Sequence, residues 1–188
     1  DPRVQPSIRP ATESDIARIT AITNDAIERS TAHFATDPDD PASVLASFRA
    51  DRDRYPWFVA EDQAGCVIGF SRAARWKSRG AYDWTCESAV YLSPEARGKG
   101  LGQRLYERLF EELERRGFRC VLAGVTIPNP PSERLHEAVG MRVVGEFPAV
   151  GFKQGKWLAV RYYCLNFGGE APPAPISVTG RSAGEGRR

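Results

Sequence analysis

A glycine-rich turn is the segment of this chain whose composition is best suited to binding a ligand. The sequence RGKGLG occupies residues 97–102, between a predicted strand and a predicted helix. Glycine lets successive backbone N–H groups converge on one point, and the helix N-terminus adds partial positive charge, so the turn can hold a phosphate or pyrophosphate. A Walker loop would require GxxxxGKS or GxxxxGKT, and Gln103 stands where the dinucleotide-binding GxGxxG pattern needs glycine. Another kind of phosphate-binding turn is therefore indicated.

Two titratable side chains could move the protons of a group-transfer reaction. Glu87 lies within an apolar strand pattern, where partial burial would raise its pKa toward a useful range. His136 lies on a short helical segment, and imidazole titrates near neutrality, so it could serve as an acid or as a second base. The alternatives are a solvated glutamate on an edge strand and a histidine that only packs.

A short basic loop is a candidate for binding an anionic group. It contains Arg75, Lys77 and Arg79 with Trp76 among them. Arginine presents a bidentate fork to a carboxylate or phosphinate. Basic residues beside an aromatic also occur where proteins bind nucleic acids, but three charges make a small patch and the net charge is only +2. We therefore expect no nucleic-acid partner. The alternative that the loop is only solvated and binds nothing stays open.

Composition limits the class of protein. The 188 residues fit one domain, and 41% are apolar against 27% charged. No apolar run reaches the roughly 18 residues of a membrane span, and residues 1–7 show no signal-peptide pattern. The scattered cysteines lack zinc-ligand spacing, so we expect no metal and reduced thiols in the cytoplasm. These cysteines are Cys66, Cys86, Cys120 and Cys164.

The hydrophobic periodicity predicts the elements that would position these groups. Helices are expected after Thr12, after Asp40, from Leu101 to Gly117 and over 132–139. Strands are expected over 57–60, 67–74, 82–92, 120–125, 142–147 and 156–166, with one more possible before Thr12. This order favours a three-layer α/β domain with a mixed, mostly antiparallel sheet. We assign an N-terminal extension to residues 1–7, the domain to 8–167 and a flexible Pro/Gly-rich tail to 168–188.

The chain resembles the GNAT acetyltransferases, and within them the phosphinothricin N-acetyltransferases, from residue 8 to about residue 167. The turn matches R/Q-x-x-G-x-G/A, the pattern that holds the coenzyme A pyrophosphate in GNAT enzymes. A longer and more specific match is WKSRGAYDWTCES over residues 76–88. Shorter matches are IRPAT (8–12), YPW (55–57), ESAVY (87–91), LHEA (135–138) and GFK (151–153).

The resemblance implies an acetyl-CoA-dependent N-acetyltransferase with acetyl-CoA as co-substrate. It identifies Glu87 as the catalytic base and puts His136 where many GNAT enzymes carry the tyrosine that protonates the departing thiolate. Backbone N–H groups of residues 90–92 would pair with the pantetheine arm. The implied cofactor-binding residues are Val90, Tyr91, Leu92, Arg97, Gly98, Lys99, Gly100, Leu101, Gly102, Gln103, Asn129 and Ser132.

The same resemblance implies a small amino-acid-like acceptor and a homodimer. Phosphinothricin, a glutamate mimic, is the leading acceptor, and methionine sulfone or sulfoximine is the nearest alternative. Direct transfer in a ternary complex is expected, because no histidine and aspartate pattern accompanies Cys86 or Cys120. A non-catalytic coenzyme A sensor and an enzyme acting on protein N-termini remain alternatives. The implied substrate-binding residues are Phe34, Trp76, Lys77, Arg79, Tyr82 and Thr85.

Overall fold

A single mixed sheet organises the molecule. The computed structural model describes residues 5–169 and 171–178, and within them seven strands pair in the order β1-β2-β3-β4-β5-β7-β6. The strands are β1 (Ser7–Pro10), β2 (Trp57–Glu61), β3 (Val67–Arg75), β4 (Thr85–Leu92), β5 (Cys120–Ile127), β6 (Arg142–Lys153) and β7 (Lys156–Asn166). The helices are α1 (Ile16–Arg29), α2 (Pro41–Asp51), α3 (Leu101–Arg116) and α4 (Pro130–Ala138).

The predicted fold class is confirmed: the sheet is mixed and mostly antiparallel, with helices on both faces. In the described part of the chain, only β4 and β5 pair in parallel, and α3 supplies the crossover between them. The possible strand before Thr12 forms as β1, on the edge of the sheet beside β2. β4 lies in the middle of the sheet, between β3 and β5, so Glu87 is not on an edge strand.

Several predicted boundaries are wrong by a few residues, for local reasons. Tyr82 was expected to begin a strand, but Gly80–Tyr82 form a 3-10 turn and β4 begins at Thr85. α4 begins at Pro130 rather than Ser132, since Asn129 caps the helix and proline suits its first turn. β6 continues to Lys153 rather than ending at Phe147, because register shifts let the strand bend past residues 147–151.

The two faces of the sheet carry separate apolar cores. α1 and α2 cover one face, where Ile19, Phe48, Trp57 and Phe70 are buried together. α3 covers the other, and its four-residue leucine repeat is buried against β2, β3 and β4. Alternate residues of β3 and β4 therefore point to opposite sides, which decides where each polar side chain of these strands lies.

The segment after β7 lies against the body of the protein where the structure describes it. The backbone N–H of Ser177 donates to the Arg116 carbonyl at 2.9 Å, and Trp84 Nε1 donates to the Ala174 carbonyl at 2.7 Å. Residues 1–4, 170 and 179–188 of the predicted extension and tail lie outside the described residues. Over the described ranges, none of the helices is long and apolar enough to cross a membrane.

Candidate active site

A cleft opens where β4 and β5 stop pairing. Their parallel contact covers Thr85–Glu87 against Cys120–Leu122 and ends there. Beyond it the strands diverge, and a cavity of about 710 Å³ lies between residues 88–92 of β4 and residues 124–126 of β5. Backbone groups of β4 on this side have no β5 partner to bind, so they are available to a ligand inserted between the strands.

The glycine-rich turn closes one end of the cleft. Gly98 and Gly100 adopt φ of 73° and 74°, in the left-handed region that glycine occupies without steric cost. Gly100 is the N-cap of α3, so the first N–H groups of a 16-residue helix face the cleft mouth. Arg97 is anchored here through its Nε, which donates to the Leu92 carbonyl at 3.2 Å. The turn thus has the backbone geometry of an anion-binding site.

His136 and Tyr106 form a hydrogen-bonded pair in the wall of the cleft. The Tyr106 hydroxyl lies 3.2 Å from His136 Nε2, and His136 Nδ1 lies 2.7 Å from the Ser132 carbonyl. Nδ1 must therefore carry the proton it donates to that carbonyl, while Nε2 accepts from Tyr106. Burial lowers the pKa of His136, so the ring is neutral near pH 7. A buried neutral imidazole can exchange a proton only through Nε2.

The structure brings nearly all the predicted cofactor-binding residues to this cleft. Lys99 is the exception: its ammonium donates to the Glu95 carbonyl at 2.8 Å instead of lining the cavity. Asn129 caps α4 by accepting from the Ser132 N–H at 3.4 Å, which fixes the helix that carries His136. The predicted residues along the cavity are Val90, Tyr91, Leu92, Arg97, Gly98, Gly100, Leu101, Gly102, Gln103, Asn129 and Ser132.

Glu87 lies at the end of the β4–β5 pairing but faces away from α3. It pairs with Ala74 of β3 and Leu122 of β5, and it is half-buried. Desolvation raises the pKa of its carboxyl, while the charges of Arg72 and Lys77 oppose that rise. The environment expected for a general base is therefore present, on a rigid central strand.

Arg72 shares this face with Glu87, and sequence reasoning missed it. Arg72 pairs with Ala89, two residues beyond Glu87 on β4, and its guanidinium lies 5.1 Å from the centre of the Trp57 ring. The surface formed by Arg72, Glu87 and Tyr91 is called the Glu87 face below. The alternation of β3 could have placed Arg72 on one side of a strand, but only the pairing register puts it beside Glu87.

Tyr162 of β7 borders the Glu87 face from the far side of β5. Its ring meets Trp76 at 5.4 Å and Phe147 at 5.7 Å, both edge-on. Burial and the Glu87 charge raise the pKa of its hydroxyl, which stays protonated at neutral pH. Tyr162 was also missed, because β7 reaches Glu87 only through the sheet order β4-β5-β7.

A loop over residues 30–36, called the roof loop below, crosses the same region. The His33 ring lies 5.7 Å from that of Tyr91, and the Phe34 ring packs so closely on Gly151 that a β-carbon there would overlap it. Lys153 holds the loop: its ammonium donates to the carbonyls of Ile27 and His33, both at 2.6 Å. The GFK segment of β6 therefore fixes the position of Phe34.

The predicted substrate-binding residues after β3 lie around the rim of the Glu87 face. Lys77 and Arg79 are exposed, and the Lys77 ammonium lies 4.9 Å from the centre of the Trp76 ring. Tyr82 is 41% exposed in the 3-10 turn, and Thr85 is half-buried at the start of β4. These side chains are exposed or half-buried rather than packed into a core.

Comparisons with known proteins agree with this geometry. Residues 20–141 match the model of the acetyltransferase (GNAT) family. The chain is 44% identical to a phosphinothricin N-acetyltransferase of Streptomyces viridochromogenes, over 90% of this chain and 92% of that protein. It is 37% identical to an L-methionine sulfoximine/L-methionine sulfone acetyltransferase of Pseudomonas paraeruginosa, over 85% of this chain and 94% of that one. The structure of a GNAT superfamily phosphinothricin acetyltransferase from Sinorhizobium meliloti in complex with AcCoA superimposes with a TM-score of 0.86 at 33% identity, covering 91% of this chain and 94% of that chain.

Proposed function

Because the chain belongs to the GNAT acetyltransferase family and is an acetyl-CoA-dependent N-acetyltransferase of the phosphinothricin and amino-acid type, we propose that it acetylates the α-amino group of a small acidic amino acid or analogue. Phosphinothricin is the leading acceptor, and methionine sulfone or sulfoximine comes next. The observation that carries the proposal is the position of Glu87, half-buried on the central strand where the β4–β5 pairing ends and the cleft begins.

The residues of the cleft fit acetyl-CoA, which supplies the acetyl thioester. The turn at residues 97–102 offers N–H groups and a helix N-terminus to its pyrophosphate. The unpaired backbone of residues 88–92 offers hydrogen bonds to its pantetheine arm and to the thioester oxygen. A cavity of about 710 Å³ that runs from the glycine-rich turn along residues 88–92 of β4 suits an elongated ligand.

Glu87 is proposed as the general base. An acceptor ammonium must lose a proton before its nitrogen can attack the thioester carbonyl, and the carboxylate of Glu87 accepts that proton. We keep His136 as the proton donor to the departing sulfur. Because Nδ1 already carries a proton, Nε2 can donate one only after the ring takes up a second proton from solvent and becomes imidazolium, with the Tyr106 hydroxyl turned toward Ser88, a second hydrogen-bond partner. The lowered pKa of His136 makes this imidazolium a good proton donor to the departing thiolate. Transfer is direct, since burial raises the pKa values of the Cys86 and Cys120 thiols and keeps them protonated.

The basic loop is proposed to receive the acidic side chain of the acceptor. Lys77 and Arg79 lie at the rim, where a side chain pointing away from Glu87 would emerge. Phe34, Trp76, Tyr82 and Thr85 would line the passage between rim and base. The exposure of these residues suits a site that small molecules enter from solvent.

We also propose that the protein is a homodimer and acts in the cytoplasm. β6 and β7 carry large apolar side chains that are more than half exposed: Val143, Val144, Phe147, Val150, Phe152 and Trp157. A surface of this kind favours a protein partner, and the proposal commits to a second copy of this chain. Sedimentation equilibrium should give a dimer for the native chain and a monomer for Phe152→Asp; a monomeric native chain would contradict it.

A thiol-release assay tests the activity directly. Acetyl-CoA is incubated with phosphinothricin, methionine sulfone, methionine sulfoximine, glutamate and a peptide with a free N-terminus. Release of coenzyme A with the free amino acids, greatest with phosphinothricin, and little with the peptide is the expected result. If coenzyme A binds by calorimetry but no amine gives release, the chain is a coenzyme A-binding module instead of an enzyme.

A further inference from the structure

Arg72 is a half-buried cation without an ion-pair partner in the described part of the chain. Other arginines of the protein contact carboxylates closely, as Arg116 does with Glu112 at 2.8 Å and Arg161 with Glu133 at 2.7 Å. Among the contacts of the described residues, the guanidinium of Arg72 lies over the Trp57 ring, 5.1 Å from its centre. Withdrawing a cation from water is costly unless an anion or hydrogen-bond acceptor compensates. A guanidinium held in this way is ready to bind an anionic group of a ligand.

The pairing register sets Arg72 close to the proposed base. Ala74 lies opposite Glu87 and Arg72 lies opposite Ala89, so Arg72 and Glu87 are diagonal neighbours on one face. Diagonal neighbours in antiparallel strands have β-carbons about 7 Å apart or less. Opposite charges therefore stand side by side on adjacent strands, yet they form no ion pair with each other among the described contacts.

This pair of charges is complementary to the head group of an α-amino acid. In such an acceptor a single carbon atom separates the ammonium from the carboxylate. An ammonium at Glu87 therefore brings its own carboxylate toward Arg72, whose planar fork suits bidentate binding. Lys77, the other cation that acts on Glu87, is exposed at the rim and suits the distal acidic group.

We propose that Arg72 binds the α-carboxylate of the acceptor and thereby selects α-amino acids over simple amines. This inference rests on the proposed acetyltransferase function and adds a specificity-determining residue to it. Stacking on Trp57 restricts the guanidinium to the Glu87 face, so little side-chain entropy is lost when the carboxylate binds. The roof loop, fixed by Lys153, lies against the same face, where the His33 ring meets Tyr91.

The test compares an acid acceptor with its neutral amide. Phosphinothricin and L-methionine sulfone are each assayed beside their α-carboxamides, with wild type, Arg72→Ala and Arg72→Lys. Arg72→Ala should lower kcat/KM for the acids by about 10- to 150-fold, the usual effect of losing a charged hydrogen bond. The amides should change less than about threefold. Arg72→Lys should fall between, since it keeps the charge and loses the fork.

Arg108→Ala is the matched control. The Arg108 guanidinium stacks on Phe58, 4.5 Å from the ring centre, on the opposite side of the sheet. The Arg108→Ala variant loses a ring contact comparable to the one that Arg72→Ala loses. Similar melting temperatures for the two variants would therefore show that Arg72→Ala is folded. Arg108→Ala should leave acids and amides equally active. Equal losses on acid and amide in Arg72→Ala, or no loss on the acid, would overturn the assignment.

A binding measurement separates failure of this inference from failure of the proposed function. If wild type turns over no amine, the function is wrong, and Arg72 is then judged by calorimetry with L-methionine sulfone in the presence of coenzyme A. Binding of the acid that is lost in Arg72→Ala while the amide is unaffected supports the carboxylate site. Unchanged binding of the acid rejects it.

Discussion

The cleft and the Glu87 face lie on the two sides of one strand, β4, but different parts of the chain form them, backbone groups in one and side chains in the other. The cleft is made mostly of backbone: the diverging strands β4 and β5, a left-handed glycine turn and two helix N-termini. The Glu87 face is made of side chains from β3 and β4, and side chains of β7 and the roof loop border it. A cleft built from backbone suits a ligand that is the same in every turnover, as proposed for acetyl-CoA, whereas a face built from side chains suits the proposed selection of the acceptor. Substitutions on the two sides should therefore have different effects.

The largest expected effect is on the Glu87 face and concerns the base. Glu87→Gln keeps the shape but cannot accept a proton, so kcat should fall about 10²- to 10⁴-fold at pH 7. Since burial raises the pKa of Glu87, wild-type activity should fall as the pH drops through that raised pKa. Steady-state kinetics across pH measures both the loss of kcat in Glu87→Gln and the pH dependence of the wild type. Calorimetry serves as the control, since the affinity of Glu87→Gln for coenzyme A should hardly change.

Two further measurements sharpen the assignment of the base. The Glu87→Gln loss should shrink at high pH, where the free amine binds already deprotonated, whereas a His136→Ala loss should not. A raised carboxyl pKa also means that the folded state holds its proton more tightly, so the ionised form destabilises the fold at neutral pH. Glu87→Gln should thus melt slightly higher than wild type. If Glu87→Gln kept a near-normal kcat while His136→Ala had no measurable activity, His136 and not Glu87 would be the base.

The next effect is on the cleft and should be confined to coenzyme A. Gly100→Val forces a β-branched residue into a φ of 74°, so the turn must either change its conformation or remain strained. The dissociation constant of coenzyme A should rise about tenfold or more, equivalent to about 1.4 kcal/mol. Gly65→Val is the matched control, since Gly65 has φ of 79° and equally open surroundings in the β2–β3 turn. Equal losses of stability but unequal losses of affinity are expected; unchanged affinity in a folded Gly100→Val would remove the turn from the cofactor site.

A smaller effect tests whether the roof loop influences binding of the acceptor without influencing binding of acetyl-CoA. Lys153→Met removes the donor to two carbonyls that are otherwise buried, so the free energy of unfolding should fall by about 1–3 kcal/mol. As the roof loop loosens, KM for the acceptor should rise severalfold while that for acetyl-CoA changes less. Chemical denaturation and two-substrate kinetics give the numbers. A parallel rise in both Michaelis constants would show that Lys153 supports the whole fold rather than one side of it.

The smallest effect is expected at the rim. Arg79 is exposed, and exposed ion pairs contribute about 0.2–1 kcal/mol, so Arg79→Ala should raise KM for an acidic acceptor by no more than about fivefold. Screening by salt should reduce even this difference, and KM for acetyl-CoA should not change. Michaelis constants at two ionic strengths decide the matter. A loss larger than that of Arg72→Ala would make Arg79, not Arg72, the principal anion-binding residue.

The sequence predicted the cleft better than the Glu87 face because the signals of the cleft are local. The glycine turn, the leucine repeat of α3 and the Asn129 cap each depend on residues within a few positions of one another. Lys99 does not line the cavity, and nothing in its sequence neighbours reveals that its ammonium donates to the Glu95 carbonyl. The 3-10 turn that ends at Tyr82 was missed because its residues also fit the alternation of a strand.

What the sequence by itself determined is the order of elements, the mixed sheet and the identity of the residues that could do chemistry, because periodicity, caps and glycine turns act over short distances. Tertiary structure alone decided which of those residues meet. Arg72 stands beside Glu87 through strand register, Tyr162 reaches the site through the order β4-β5-β7, and Lys153 fixes a loop 120 positions away in the chain. A shift of one residue in the β3–β4 register would turn Arg72 into the opposite core, since side chains alternate with period two. The alternation is visible in the sequence, but the register is set by packing across the whole sheet.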